Sequence, residues 1–79
     1  MVRYIVYGRG SCPFCVKAVQ LLEDENREFI FFNEENKEEL DYIKKFYASE
    51  TVPIIIENNV ETGKVSMVGG DTDLRKKLK

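Results

Sequence analysis

Val2-Arg3-Tyr4-Ile5-Val6-Tyr7-Gly8-Arg9-Gly10-Ser11-Cys12-Pro13-Phe14-Cys15 carries both the fold signal and the chemistry of this chain. Its first six residues are β-branched or aromatic around one arginine and read as a strand. Gly8 to Ser11 is a loop. Ser11 is a candidate helix N-cap, and Pro13 falls in the first turn, where a missing N–H costs nothing. After Cys15, residues Ala18, Val19 and Leu22 follow at i+3, i+4 and i+7, which predicts one buried face of a helix ending near Glu25. The only two cysteines of the chain are thus spaced C-x-x-C at a helix start that follows a strand. Unpaired N–H groups and the positive end of the helix dipole lower a thiol pKa at such a position. The pair reads as a redox couple.

Working outward, Glu28-Phe29-Ile30-Phe31-Phe32 predicts a second strand, Asn33 a cap for the turn after it, and Asn36 to Ala48 a second helix. In that helix Leu40, Ile43 and Tyr47 share a face, with Phe46 beside it. Ser49-Glu50-Thr51 is a break before a third strand, Pro53 to Ile56. Asn58-Asn59 and Thr62-Gly63 are turn signals, Lys64 to Val68 is a fourth strand, and Gly69-Gly70 ends it. Asp71 or Thr72 is expected to cap a short last helix with Leu74 and Leu78 facing inward. The order is β-α-β-α-β-β-α. A strand pair joined through a helix is parallel, so the chain predicts an α/β fold with a mixed four-stranded sheet flanked by helices.

Seventy-nine residues suit one domain, 1–79, close to the lower limit for a self-sufficient core. A C-x-x-C ring is too short to remove much loop entropy, so packing rather than a staple must hold it. No secretory signal pattern or membrane-length apolar run is present, and one cysteine pair without further bridges fits a reducing, cytoplasmic setting. The net charge of −2 is unevenly spread. Residues 1–22 carry Arg3, Arg9 and Lys17 and no acid, whereas residues 23–41 carry nine acids against Arg27 and Lys37. The cysteines lie in the basic part, which favours a thiolate and an anionic substrate. No basic stripe with interleaved aromatics points to nucleic acid. The acidic Glu34, Glu35, Glu38 and Glu39 read as a solvated helix face, and Lys17 as an exposed residue.

Cys12-Pro13-Phe14-Cys15 after a first strand, Thr51-Val52-Pro53 before a third, and Gly69-Gly70-Asp71-Thr72-Asp73 before the last helix together resemble the glutaredoxins. The resemblance runs over nearly the whole chain and implies a thioredoxin-like (glutaredoxin) fold. Thioredoxin itself is less similar, because its Trp-Cys-Gly-Pro-Cys signature is missing. The resemblance implies a dithiol thiol–disulfide oxidoreductase that reduces protein disulfides and glutathione mixed disulfides. Glutathione is then a reducing co-substrate, with no bound cofactor and no metal. Clients are disulfide-containing proteins, ribonucleotide reductase being common in the family, and the chain is expected to be a monomer that binds neither nucleic acid nor membrane.

Cys12, at the exposed helix start, is the expected nucleophile, and Cys15, one turn inside, the resolving thiol. By resemblance Pro53 is cis and faces the pair, leaving the Val52 backbone to hold the cysteinyl part of an extended substrate. Gly70, Asp71 and Thr72 match the family's γ-glutamyl site, with Asp73 a second acidic candidate. Arg9, Phe14 and Thr51 complete the expected glutathione contacts. Phe14 replaces the commoner tyrosine, Arg9 the usual lysine, and Leu40 a position that is polar in many members; the hairpin after Pro53 is longer than usual. C-x-x-C also binds metal. A closed zinc site needs about four ligands, and this chain has no histidine or third cysteine. An iron–sulfur cluster shared between two chains stays open, as do reduction by thioredoxin reductase, a redox-inactive interaction module, and a proline that merely opens an edge strand.

Overall fold

Strand β1 (Val2–Gly8) is central because its sequence buries one side and covers the other. Tyr4, Val6 and Gly8 are buried while Ile5 and Tyr7 alternate with them on the opposite face. A computed structural model describes residues 2–49 and 51–78. It contains α1 (Pro13–Asp24), β2 (Glu28–Asn33), α2 (Lys37–Phe46), β3 (Ile54–Asn59), β4 (Val65–Gly69) and α3 (Asp71–Leu78). The sheet order is β2-β1-β3-β4. β1 pairs parallel with β2 across the α1 crossover, with Ile5 opposite Ile30, and antiparallel with β3, with Ile5 opposite Ile56. β3 pairs antiparallel with β4. This is the predicted mixed sheet and element order.

One core cluster joins Tyr4, Val6 and Ile55 of the sheet to Ala18 and Leu22 of α1 and Leu74 of α3. Each fully buried Leu or Ile contributes about 1.5–3 kcal/mol of transfer free energy. The apolar spacing of α1 and α3 therefore anchors both helices to one face of the sheet. α2 serves the other face, where Tyr47 meets Tyr7 at 6.0 Å between ring centroids and Tyr7 stacks on Phe32 at 5.2 Å. Leu40 is the buried residue of α2, with Ile43 and Tyr47 half-buried and Phe46 exposed.

Several local expectations move by a residue. The N-cap of α1 is Cys12, not Ser11, because Pro13 takes the first helical position and sets the cap one residue before itself. Asn36 caps α2 as its Oδ1 accepts from the N–H groups of Glu38 (2.9 Å) and Glu39 (3.2 Å). Asn33, by contrast, accepts from Gly10 N–H at 3.0 Å and ties the active loop to β2. α3 begins at Asp71, and Leu74 N–H donates to the Gly70 carbonyl, so Gly70 stands at the cap and neither Asp71 nor Thr72 does. Asp73 instead reaches back to Gly70 N–H at 3.2 Å, the return half of a capping box. Asn58 and Asn59 are strand, and the turn follows them; Asn59 Oδ1 accepts from Glu61 and Thr62 N–H. Glu50, within the predicted break, lies outside the described residues.

Candidate active site

The C-terminal end of β1 delivers the loop Arg9–Cys12 to the start of α1. Cys12 N–H donates to the Arg9 carbonyl at 3.1 Å, and the Cys12 carbonyl accepts from Val16 at 3.0 Å. With φ −84° and ψ 119° Cys12 is extended, its side chain makes no cap bond, and it is half-buried. Cys15 lies one turn inside and is wholly buried; both thiols are free. Gly8 lies so close to Cys15 that a Cβ on it would run into the Cys15 Sγ. The two thiols are thus adjacent but in different environments.

That difference separates their acidities. Burial works to raise the Cys12 pKa, but the Cys15 thiol beside its sulfur and the nearby backbone N–H groups of Cys15 and Phe14 favour the thiolate and hold the pKa below the ordinary value. These are orphan donors of the first helical turn. Burial pushes the Cys15 thiol up to about 12, helped by its hydrogen bond to Cys12 and by the Cys12 and Asp71 charges. Cys12 is therefore the thiol that ionises first as pH rises, while Cys15 stays protonated near neutral pH. In the reduced protein, iodoacetamide should modify one thiol, with a rate half-maximal at a lower pH than for an unperturbed cysteine measured alongside it. Because a lowered acid pKa means deprotonation at lower pH, the reactivity is gained as pH rises through that value and is flat above it. Two thiols titrating together with that unperturbed cysteine would contradict this asymmetry.

A groove of about 560 Å³ opens beside Cys12, and Arg9, Lys37, Leu40, Lys44 and Val52 line it with the thiol. Arg9 Nε is buried there without a hydrogen-bond partner. The Val52–Pro53 peptide is cis, with Pro53 buried. A Cβ on Gly70 would come 4.0 Å from the Pro53 carbonyl, so the glycine pair abuts the proline; Gly69 has φ +119°, a conformation that suits glycine. Asp71 is close enough for its charge to oppose ionisation of both thiols. The structure thus gathers Arg9, Cys12, Cys15, Val52, Pro53, Gly70 and Asp71 at one end of the sheet. Phe14 is 54% exposed with Lys17 Nζ 5.6 Å from its ring centroid, and Thr51 and Thr72 are exposed without lining the groove.

Lys37 and Lys44 are groove residues that the sequence reading passed over. Their signal was present: Lys37, Leu40, Asp41 and Lys44 recur at i, i+3, i+4 and i+7, one flank of α2. Among the described residues no group of three or more His, Cys, Asp or Glu is gathered for a metal, and no helix is long and apolar enough to cross a membrane.

With this geometry in place, comparison with known proteins is direct. The glutaredoxin family profile matches residues 4–61. Glutaredoxin 1 of Rickettsia felis is 39% identical over 64 residues, and that of Rickettsia conorii 41% over 64, covering 75% of this chain and 61% of each relative. The chain therefore spans about three fifths of the length of these curated relatives. The solution structure of glutaredoxin from Brucella melitensis superposes with a TM-score of 0.72 at 28% identity, over 96% of this chain and 77% of that one.

Proposed function

The chain belongs to the glutaredoxin family, and from that membership we propose that residues 1–79 form one domain acting as a glutathione-dependent dithiol oxidoreductase in the cytoplasm. The observation that carries the reading is the split between the two thiols: Cys12 ionisable at the helix start, Cys15 buried and held protonated.

In this reading the Cys12 thiolate attacks one sulfur of a disulfide; a Cys12–S bond forms, the old S–S bond breaks, and the other sulfur leaves as thiolate. For a protein disulfide, Cys15 then gives up its proton to the departing thiolate or solvent and attacks Cys12 sulfur. The client leaves as a dithiol, and Cys12–Cys15 is the oxidised product. A first glutathione opens that bond, leaving glutathione on Cys12 and a thiol on Cys15. A second removes it as glutathione disulfide and restores the Cys12 thiolate. Two thiols are oxidised for each disulfide reduced.

Glutathione carries two carboxylates and an ammonium. Arg9, flanked by Lys37 and Lys44, offers positive charge to the glycyl carboxylate. The Val52 backbone would pair with the cysteinyl unit beside Pro53, with Thr51 and Phe14 bordering it. Gly70, Asp71 and Thr72, at the start of α3, would take the γ-glutamyl end, backbone N–H to carboxylate and Asp71 to ammonium. Ribonucleotide reductase is among the clients such chemistry suits.

The test is turnover of a glutathione mixed disulfide with glutathione and glutathione reductase, set beside thioredoxin reductase as sole electron source. Wild type and Cys15→Ser should both turn over with glutathione, since glutathione alone can release a Cys12-bound glutathione; Cys15→Ser should fail on a protein disulfide. Turnover with thioredoxin reductase alone would replace glutathione as the reductant. A folded, inactive protein that is coloured and dimeric when purified anaerobically would favour the cluster carrier.

A further inference from the structure

The two flanks of α2 have opposite character. One faces the Cys12 groove with Lys37, Asp41 and Lys44, a net positive charge that Arg9 across the groove adds to. The other, with the chain just past β2, bounds a second groove of about 360 Å³ lined by Glu34, Glu38, Glu39, Tyr42 and Ile43. We propose that this second groove docks a segment of the client protein in which a lysine or arginine stands beside a large aliphatic side chain. The proposal rests on the oxidoreductase reading for the word client, and on the groove alone for the chemistry of the segment.

Three observations select that occupant. The groove surface is almost wholly carbon, with Tyr42 69% exposed beside Ile43, so an aliphatic side chain is what it would bury. On β2, which ends at Asn33 just before Glu34, Ile30 and Phe32 are also exposed and share one face by strand alternation. Its rim is three carboxylates, and among the described residues no lysine or arginine lies within ion-pair distance of any of them. Glu34 and Glu39 are close enough to hydrogen-bond each other, which raises the Glu34 carboxyl above its usual range. Like charges crowded on an apolar floor are relieved by an incoming cation and would repel an acidic segment. Placement adds direction. An anionic glutathionyl group suits the basic flank and a cationic segment the acidic one, so α2 would sort the two ends of a glutathionylated client by charge. A helix with its side chains is about 10–12 Å across, and about four extended residues at ~3.3 Å each span it.

The probes are synthetic peptides with one glutathionylated cysteine, a four-residue Gly/Ser spacer, and either Leu-Arg-Leu-Lys or Leu-Glu-Leu-Glu. The basic peptide should show a KM about tenfold lower than the acidic one, the gap narrowing with added salt. The triple variant Glu34→Gln, Glu39→Gln, Tyr42→Ala should close the gap and leave turnover of a small hydroxyethyl mixed disulfide of glutathione unchanged. A gap absent in wild type, or surviving in the variant, overturns the docking proposal while small-disulfide turnover upholds the oxidoreductase reading. Loss of small-disulfide turnover in wild type overturns that reading instead. Docking is then still decided by binding of the basic peptide with serine in place of its cysteine. Amide shifts at Glu34, Glu39 and Tyr42 support it, and their absence overturns it.

Discussion

On the proposed function, Cys12→Ser should abolish disulfide reduction, with turnover of every disulfide substrate falling by about 10³-fold or more, the scale expected when a covalent nucleophile is removed. Cys15 is the only other cysteine of the chain, and it cannot take over. Cys15 is wholly buried, and its thiol is pushed to about 12, so near neutral pH its thiolate is scarce and out of reach. The substitution changes one atom at the half-buried N-cap of α1, where serine is a favoured residue, so the fold should persist with a denaturation midpoint that does not fall. The check is steady-state turnover of glutathione mixed disulfide and of a protein disulfide, alongside far-UV circular dichroism. Residual activity above about one per cent would mean that Cys15 can act as nucleophile, and the assignment of roles would then be reversed.

The legible part of this molecule is what short-range pattern dictates. The alternation of Tyr4 and Val6, the i, i+3, i+7 set of Cys15, Ala18 and Leu22, and the Ile54–Ile56 run each have one physical reading, and the core contains them. The paired cysteines are legible because strand, loop and helix start all lie within fourteen residues. Residues brought to the site by long-range packing were harder to see. Lys37 and Lys44 belong to it only because α2 sits against the β1 loop, and the apolar stripe of Leu40, Ile43 and Tyr47 drew attention to a different direction on the same helix. Cap positions shifted for a local reason: Ser11 and Thr72 have good capping side chains, but Pro13 and the Gly70–Asp73 bond fix the helix starts. Resemblance to a family supplied Val52–Pro53 and Gly70 as neighbours of the cysteines, which no local pattern does.

Gly8→Ala should cost about 1–3 kcal/mol of stability, the range for overpacking a well-filled site, against a total on the order of 4–12 kcal/mol for a chain of this length. Backbone conformation is not the reason, since Gly8 is outside the left-handed φ region occupied by Gly63 and Gly69. A glycine with ordinary φ would normally gain about 0.4–1 kcal/mol on becoming alanine, through the unfolded chain. The clash must exceed that gain before any loss is seen. It arises because the new methyl would overlap Cys15 Sγ and lie 3.2 Å from Cys15 Cβ and 3.6 Å from Phe31. β1 is held between β2 and β3 and cannot retreat, and the Gly8 carbonyl accepts from Glu34 N–H at 2.7 Å. Cys15 must therefore move, and with it the thiol hydrogen bond that helps hold the Cys12 pKa down. Urea denaturation should show the lower midpoint, and the iodoacetamide profile of Cys12 should shift to higher pH in the same variant. A lower midpoint with an unchanged Cys12 profile would mean that the backbone N–H groups of Phe14 and Cys15 suffice without the Cys15 thiol. An unchanged midpoint would show that the close approach of Gly8 to Cys15 is not a feature of the native protein.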